Sequence, residues 1–403
     1  MSMIIAASGA WPQHGTRAEN KYRATLSRVL AAGLLLFLAA CQSVVPKGQG
    51  PEGPPPVVSP DPGNVIAADG DRHRVALLLP VTGPDGDVGQ SIANATTLAL
   101  LDTRNTNIRM TTYDTALGID AAVRKAVADG NRLILGPLRS DDVVAVAKVA
   151  RPAGVPIISF SNDIGAAGSN VFVMGHLPNQ SIDRVVRYAR GKGMTRFGGV
   201  VPKNVYGQRA LSNLTKSVRD AGGTLVSIQE IDGTSMSIDA ATKKLGAVDA
   251  VLIADSGRVA IATIPALRKN GNGGAKVLGT DLWNTDGAIS SNPLMQGAWF
   301  ASVSDTLYSS YASKYRARFG KGPMRLSSLG YDSVLLVARV AQTWKLGTRF
   351  PVDRLVDPEG FIGIDGAFRF FPNGVSDRMI EVQEVQQGKF VTIDAAPKNF
   401  LGK

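Results

Sequence analysis

The chain has 403 residues, 44 lysines and arginines against 33 acids, a formal net charge of +11 and one cysteine, Cys41. A single thiol excludes internal disulfides, so packing alone must stabilise whatever folds. The basic residues are scattered, with no basic run and few aromatics among them, which excludes a nucleic-acid interface; the +8 left after residues 1–40 are set aside is compatible with a mild attraction to anionic polymers or lipid headgroups.

Arg17, Lys21, Arg23 and Arg28 precede twelve apolar or small residues, Val29 to Ala40. A basic flank ahead of so short an apolar run predicts a secretory signal, too short to span a bilayer, over residues 1–40. Leu38-Ala39-Ala40-Cys41 resembles the bacterial lipobox. That resemblance implies that the Cys41 thiol is acylated and the signal is cut so that Cys41 becomes the first residue. Gln42, rather than Asp, follows it; under the enterobacterial sorting rule this implies the periplasmic face of the outer membrane rather than the inner membrane. Residues 41–72 are rich in proline and glycine, with few bulky apolar residues apart from valines. Such a stretch buries too little to fold and reads as an extended tether, reaching on the order of 90 Å at roughly 3.1 Å per residue.

Beyond the tether, strand and helix alternate, as in parallel sheets covered by helices. Val75–Leu79 is a continuous apolar run, followed by a helix over Val88–Asp102 with a stripe from Ile92, Ala95, Leu98, Ala99 and Leu101. Strands are predicted over 108–113, 133–135 and 156–160, with helices over 118–129 and 141–151. The alternation restarts after 171–174, with helices over 181–192, 207–221 and 259–270 and strands over 197–201, 225–231, 250–254 and 276–278. Two similar α/β lobes in tandem follow, facing across a cleft at the carboxyl ends of their strands.

The last third of the chain carries Tyr311, Tyr315 and Phe319-Gly320-Lys321-Gly322-Pro323, then Gly330-Tyr331-Asp332-Ser333, and Phe361 to Gly374 with Val385 to Val391 as a closing hairpin. With Leu78-Leu79-Pro80-Val81-Thr82-Gly83-Pro84 at the opening, this order resembles the type I periplasmic binding proteins, the leucine/isoleucine/valine-binding-like superfamily, over nearly all of residues 73–393. The resemblance implies two Rossmann-like lobes with parallel sheets joined by a three-segment hinge. The crossings are expected near His176, Phe300 and Glu359, giving one lobe from 73–176 and 301–359 and the other from 177–300 and 360–403.

Carried over residue by residue, the resemblance implies ligand contacts. Ser140 stands at a helix start, where its hydroxyl and free N–H groups would receive a carboxylate, although Ser140-Asp141-Asp142 also reads as an ordinary helix cap. Ser161 and Asn162 follow the next strand. In the second lobe Asp255 and Asp281 follow strands, with Asp281 the expected partner of a ligand ammonium. The aromatic usual in the Asp255 loop is missing, and Trp283 is the expected substitute.

Catalytic spacings are absent: no phosphate-binding loop, no dinucleotide fingerprint, no serine elbow, and in the mature chain only His73 and His176. Neither an enzyme nor a cofactor or metal is expected. Two binding roles remain. The Gly136-Pro137-Leu138 loop leading into Asp141-Asp142-Val143, the tether and Gln42 resemble the penicillin-binding protein activators, which implies a peptidoglycan synthase, a bifunctional penicillin-binding protein, as partner. The best-known activators also carry an amino-terminal helical repeat domain, and only the carboxyl-terminal type of module is read here. The alternative is the substrate-binding protein of a branched-chain amino acid transporter, with an ABC permease as partner and an amino acid as ligand.

Overall fold

The computed structural model describes residues 69–401. The signal segment, Cys41 and the tether up to residue 68 lie outside the described residues. The chain enters the first lobe at β1 (His73–Leu79) and continues through α1 (Gly86–Thr103), β2 (Ile108–Asp114), α2 (Ile119–Ala128), β3 (Leu133–Leu135), α3 (Ser140–Ala150), β4 (Ile157–Ser159) and β5 (Val171–Val173). The five strands form a wholly parallel sheet in the order β2-β1-β3-β4-β5. Alternation along β1 explains its unbroken apolar run: Val75, Leu77 and Leu79 pack into one helical layer while Ala76 and Leu78 pack into the other.

The second lobe comprises α4 (Pro178–Gly191), β6 (Arg196–Pro202), α5 (Val205–Asp220), β7 (Thr224–Ile231), α6 (Ser235–Lys243), β8 (Ala250–Ile253), α7 (Gly257–Lys269), β9 (Lys276–Gly279), a 3-10 turn at Asp281–Thr285, α8 (Gly287–Ser291) and β10 (Trp299–Ser302). The chain then returns to the first lobe with α9 (Thr306–Phe319) and α10 (Ser327–Ala341), and forms a small antiparallel sheet of β11 (Phe361–Gly363), β12 (Gly366–Phe370) and β13 (Ser376–Arg378). β14 (Glu381–Gln386) and β15 (Lys389–Asp394) close the second sheet, whose order is β15-β14-β10-β9-β8-β6-β7.

Three features differ from the sequence reading. The second crossing lies after Ser302 rather than near Phe300, because all of β10 pairs with β14. The third lies at Met379–Ile380 rather than near Glu359. Phe361, Phe368 and Phe370 share the core of Val75, Leu77 and Leu336, so residues 361–378 belong to the first lobe and not to the second. Helix α6 was not expected, since it buries only Ile238, Ala241 and Thr242 and so shows little apolar periodicity.

The two lobes open alike. In each, the first strand ends at a proline whose carbonyl receives the start of the next helix, leaving no space for a side chain. A Cβ on Gly89 would lie 2.0 Å from the Pro80 oxygen, and one on Gly207 would lie 1.7 Å from the Pro202 oxygen. Gly89→Ala and Gly207→Ala are therefore each expected to cost about 1–3 kcal/mol. Gly191→Ala, where nothing stands within 4 Å of the added methyl, is expected to be neutral or to stabilise by about 0.4–1 kcal/mol. Urea unfolding of the three variants checks the difference.

Candidate functional site

At the carboxyl ends of the strands the lobes face each other across a cleft of about 250 Å³. The first lobe contributes Leu138, Phe160, Asn162, Arg325 and Leu326. The second contributes Asp281, Leu282, Asn284 and Ser302, while His176 and Val303 come from the first and second crossings. The lining is apolar at Leu138, Phe160, Leu282, Val303 and Leu326, with charge of both signs, Asp281 from one lobe and Arg325 from the other.

Asp281 owes its place to the turn that follows β9, where its backbone N–H donates to the Ser181 hydroxyl at 2.9 Å. Its Oδ1 is buried without a hydrogen-bond partner. Burial pushes its pKa from the ordinary 3.8 up to about 6, with His176 pulling the other way. The Asn284 Oδ1 is likewise buried and unpartnered. The second lobe thus presents the cleft with two acceptors that no described residue satisfies.

The first lobe answers with Arg325, which is held from behind. Its Nη1 donates to Asp365 Oδ1 at 2.7 Å and to the Ser328 hydroxyl at 3.1 Å, and its guanidinium lies 4.1 Å from the centre of the Tyr308 ring. Its Nη2 stands 3.4 Å from Asp305 Oδ1, an ion-pair contact without hydrogen-bond geometry, and its Nε has no hydrogen-bond partner. Asp365 is fully buried and also receives His176 Nε2 at 2.9 Å and the Ser328 hydroxyl at 2.7 Å. Burial opposes its charge, but Arg325, His176 and Arg378 together hold it well below the usual carboxylate range. Beside it Asp332 accepts the Ile364 N–H at 2.6 Å and an Arg378 contact at 3.4 Å; burial and the Asp365 charge push Asp332 upward. Gly363 is obligatory here, since a Cβ would stand 2.3 Å from the Asp332 carboxylate.

The expected site residues divide. Asp281 and Asn162 line the cleft. Ser140 lines a wider groove of about 590 Å³ at its mouth, with Asn162, Asn179 and Tyr206, where Arg209 of the second lobe pairs with Asp163 of the first. Its alternative reading as the helix cap does not hold, because it is the first helical residue and the preceding Arg139 makes no capping bond. Ser161 is buried, and its hydroxyl accepts the Asp163 N–H within the loop. Asp255 lines an adjoining depression of about 600 Å³ on the second lobe with Leu282, which also lines the cleft, and Tyr206, which also lines the mouth groove. Trp283 does not reach the ligand space: it is fully buried among Val200, Ile253 and Phe300, and its indole donates to the Asp255 carbonyl at 3.0 Å. Arg325, Asn284 and Ser302 were not singled out from the sequence, and no local pattern marks them. Among the described residues no group of His, Cys, Asp or Glu stands ready for a metal ion, and no helix is long and apolar enough to cross a membrane.

Against known proteins, a family model described as periplasmic binding protein matches residues 73–356. An uncharacterised protein of Rickettsia prowazekii is 32% identical over 137 residues, 34% of this chain and 37% of the relative. Penicillin-binding protein activator LpoA of Photobacterium profundum is 28% identical over 143 residues, 34% of this chain and 23% of the relative. The chain is thus matched to well under half the length of either. Among solved structures, a branched-chain amino acid ABC transporter periplasmic ligand-binding protein from Burkholderia xenovorans LB400 superposes with a TM-score of 0.67 at 17% identity, covering 81% of this chain and 96% of that one. Full-length LpoA from Haemophilus influenzae gives 0.64 at 17% identity, covering 80% and 59%. The match over residues 73–356, well over half of the chain, together with two lobes closing on a cleft, makes this chain a member of the periplasmic binding protein family with that family's type I fold.

Proposed function

We propose that this is a lipid-anchored periplasmic module of the penicillin-binding protein activator kind, regulating peptidoglycan synthesis through contact with a bifunctional synthase. The observation that carries this reading is the 28% identity over 143 residues to a penicillin-binding protein activator, a likeness in sequence as well as fold. The proline-rich tether and the lipobox-like Leu38-Ala39-Ala40-Cys41-Gln42 support placement on the outer membrane, facing the wall. The activator relative is longer, so the way a synthase would respond is part of the proposal.

A second reading, capture of an amino acid for an ABC permease, is favoured by the cleft itself. An unpartnered carboxylate oxygen on one lobe and, on the other, a guanidinium whose Nη2 makes only a 3.4 Å contact to the half-exposed Asp305 suit the ammonium and carboxylate of one zwitterion, with the apolar lining left for its side chain. The two readings separate on the partner. On the first, crosslinking in cells recovers a penicillin-binding protein; recovery of an ABC permease alone transfers the assignment to the second.

Anchorage is tested at Cys41. Cys41→Ser is expected to leave the chain unacylated and uncut; a variant that is still acylated and trimmed would remove the lipobox reading.

The cleft is tested at Asp281. Its pKa is raised in the folded protein, so folding takes up protons between about pH 4 and 6, and stability falls as pH rises through that window. Asp281→Asn is therefore expected to be about 3 kcal/mol more stable than the parent at pH 8, with the difference vanishing near pH 4. Where a ligand ammonium is bound, its affinity should fall below about pH 6 as Asp281 protonates, and the same substitution should abolish the saturable heat seen on titration with an amino acid panel.

A further inference from the structure

The space between the lobes does not end at Asp281 and Arg325. Asn162 lines both the cleft and the mouth groove, and the groove, at about 590 Å³, has more than twice the volume of the cleft. The cleft's 250 Å³ falls just short of the roughly 300–1,000 Å³ usual for small-molecule sites, whereas cleft and groove together fall inside that range. One wall of the groove is a face of α5: Val205, Gln208, Arg209 and Ser212 recur at the spacing of a single helical stripe, with Asn213 beside them. Facing them are Ser140 and Asn162 of the first lobe, and Asn179 from the first turn of α4.

The far end of α5 is an ordinary solvated surface, on which Asp220 pairs with Lys216 and Arg219. The groove stretch differs. Its one cation, Arg209, is taken by Asp163, and the rest of the lining is uncharged. Four side-chain amides, those of Asn162, Asn179, Gln208 and Asn213, converge on this neutral groove, and none of them hydrogen-bonds a described residue. Amides that serve the fold do: Asn131 donates to the Ala126 carbonyl at 2.7 Å, Asn170 to that of Val155 at 2.7 Å and Asn272 to that of Gly246 at 2.9 Å. Water satisfies an exposed amide, but the Asn179 Oδ1 is buried and unpartnered. A buried acceptor left without a donor is costly.

A side-chain amide offers both donor and acceptor, the same pair that each peptide unit carries. The groove's apolar contacts are aliphatic, Ile164 and Val205, both exposed. Its one aromatic, Tyr206, turns inward to the buried Thr280 hydroxyl at 3.1 Å and so offers no ring face to a sugar. From Val205 to Asn213 the α5 face runs about 12 Å at 1.5 Å per residue. That is the length of about three or four extended residues at roughly 3.3 Å each.

Resting on the capture reading of the cleft, we propose that cleft and groove form one site for a short peptide, with one residue in the cleft and about three or four in the groove. Its terminal ammonium meets Asp281 and its first side chain fills the apolar cleft. Its first carbonyl stands toward Arg325, where a free amino acid would place its carboxylate. The backbone then runs past Asn162 along Asn179, Gln208 and Asn213 toward solvent.

The test is calorimetric titration of the full chain in neutral detergent with leucine, with the tetrapeptide Leu-Ala-Ala-Ala and with the N-acetylglucosamine tetramer. The tetrapeptide is expected to bind about tenfold or more tighter than leucine, and acetylation of its amino terminus to abolish binding. Gln208→Ala combined with Asn213→Ala, both on the groove face of α5, should cut the preference for the tetrapeptide over leucine by about tenfold, with thermal unfolding unchanged. Leucine bound as tightly as the tetrapeptide, or a preference untouched by the double variant, overturns the peptide site while the capture reading stands. Tighter binding of the sugar tetramer overturns it in favour of a glycan. Silence toward leucine and tetrapeptide alike overturns both the peptide site and the capture reading.

Discussion

The structure depends on one buried knot of charge, centred on Asp365. Around it lie Arg325 before α10, Ser328 and Asp332 on α10, His176 from the first crossing and Arg378 at the start of the third. Removing one member of such a buried network strands its partner without water and costs about 3–5 kcal/mol. The knot is therefore weak as a source of net stability but strong as a constraint on position. It ties the root of the first crossing to Asp365 through His176, and the root of the third to the neighbouring Asp332 through Arg378. What remains between the lobes is a few residues at each crossing, Gly175–Leu177, Val303–Asp305 and Met379–Ile380.

The knot also shapes the cleft. Arg325 is shared between the two: its Nη1 is committed inward to Asp365 and Ser328, while its Nη2 lies 3.4 Å from Asp305 and its Nε has no hydrogen-bond partner. The inward bonds supply the counter-charge that lets a guanidinium sit with its side chain only 9% exposed. Opposite it Asp281 has no such partner, and burial alone raises it. The first lobe thus presents a charge balanced by Asp365 and Asp305, and the second a carboxylate oxygen without a partner. On the proposed capture reading, the two would face the opposite charges of one small ion.

Much of this was legible in the sequence, and the failures have physical causes. Continuous apolar runs such as Val75–Leu79 identified buried parallel strands, because two covered faces leave no polar alternation. Asp281 was legible as an acid after a strand at the cleft edge. The third crossing was not, because Phe361, Phe368 and Phe370 alternate as any half-buried hairpin does, and alternation does not say which core receives it. Trp283 was misplaced because an aromatic after a strand has the same pattern whether it turns outward or back. The deciding residue is Gly279, where a Cβ would lie 2.3 Å from the indole; a glycine beneath an aromatic is the trace left by folding back into the core. Arg325 was invisible because its principal partner, Asp365, lies 40 residues away.

The same geometry explains why one fold can serve either capture of a solute or recognition of a protein. A ligand acts on such a module only through its difference in affinity between open and closed lobes. On the capture reading that difference would have two sources: Asp281 and Arg325 would meet one ion as the lobes approach, and Arg209 pairs with Asp163 across the mouth. The mouth pair is partly exposed, at 38% and 18%, and is worth little by itself in water. The buried pair is worth more, because its charges are already stripped of solvent and gain a partner without further desolvation. On the proposed readings control of the lobes would reside in the cleft rather than at its rim, and a protein partner reading the outer surface would sense the state of Asp281 and Arg325 through the three short crossings.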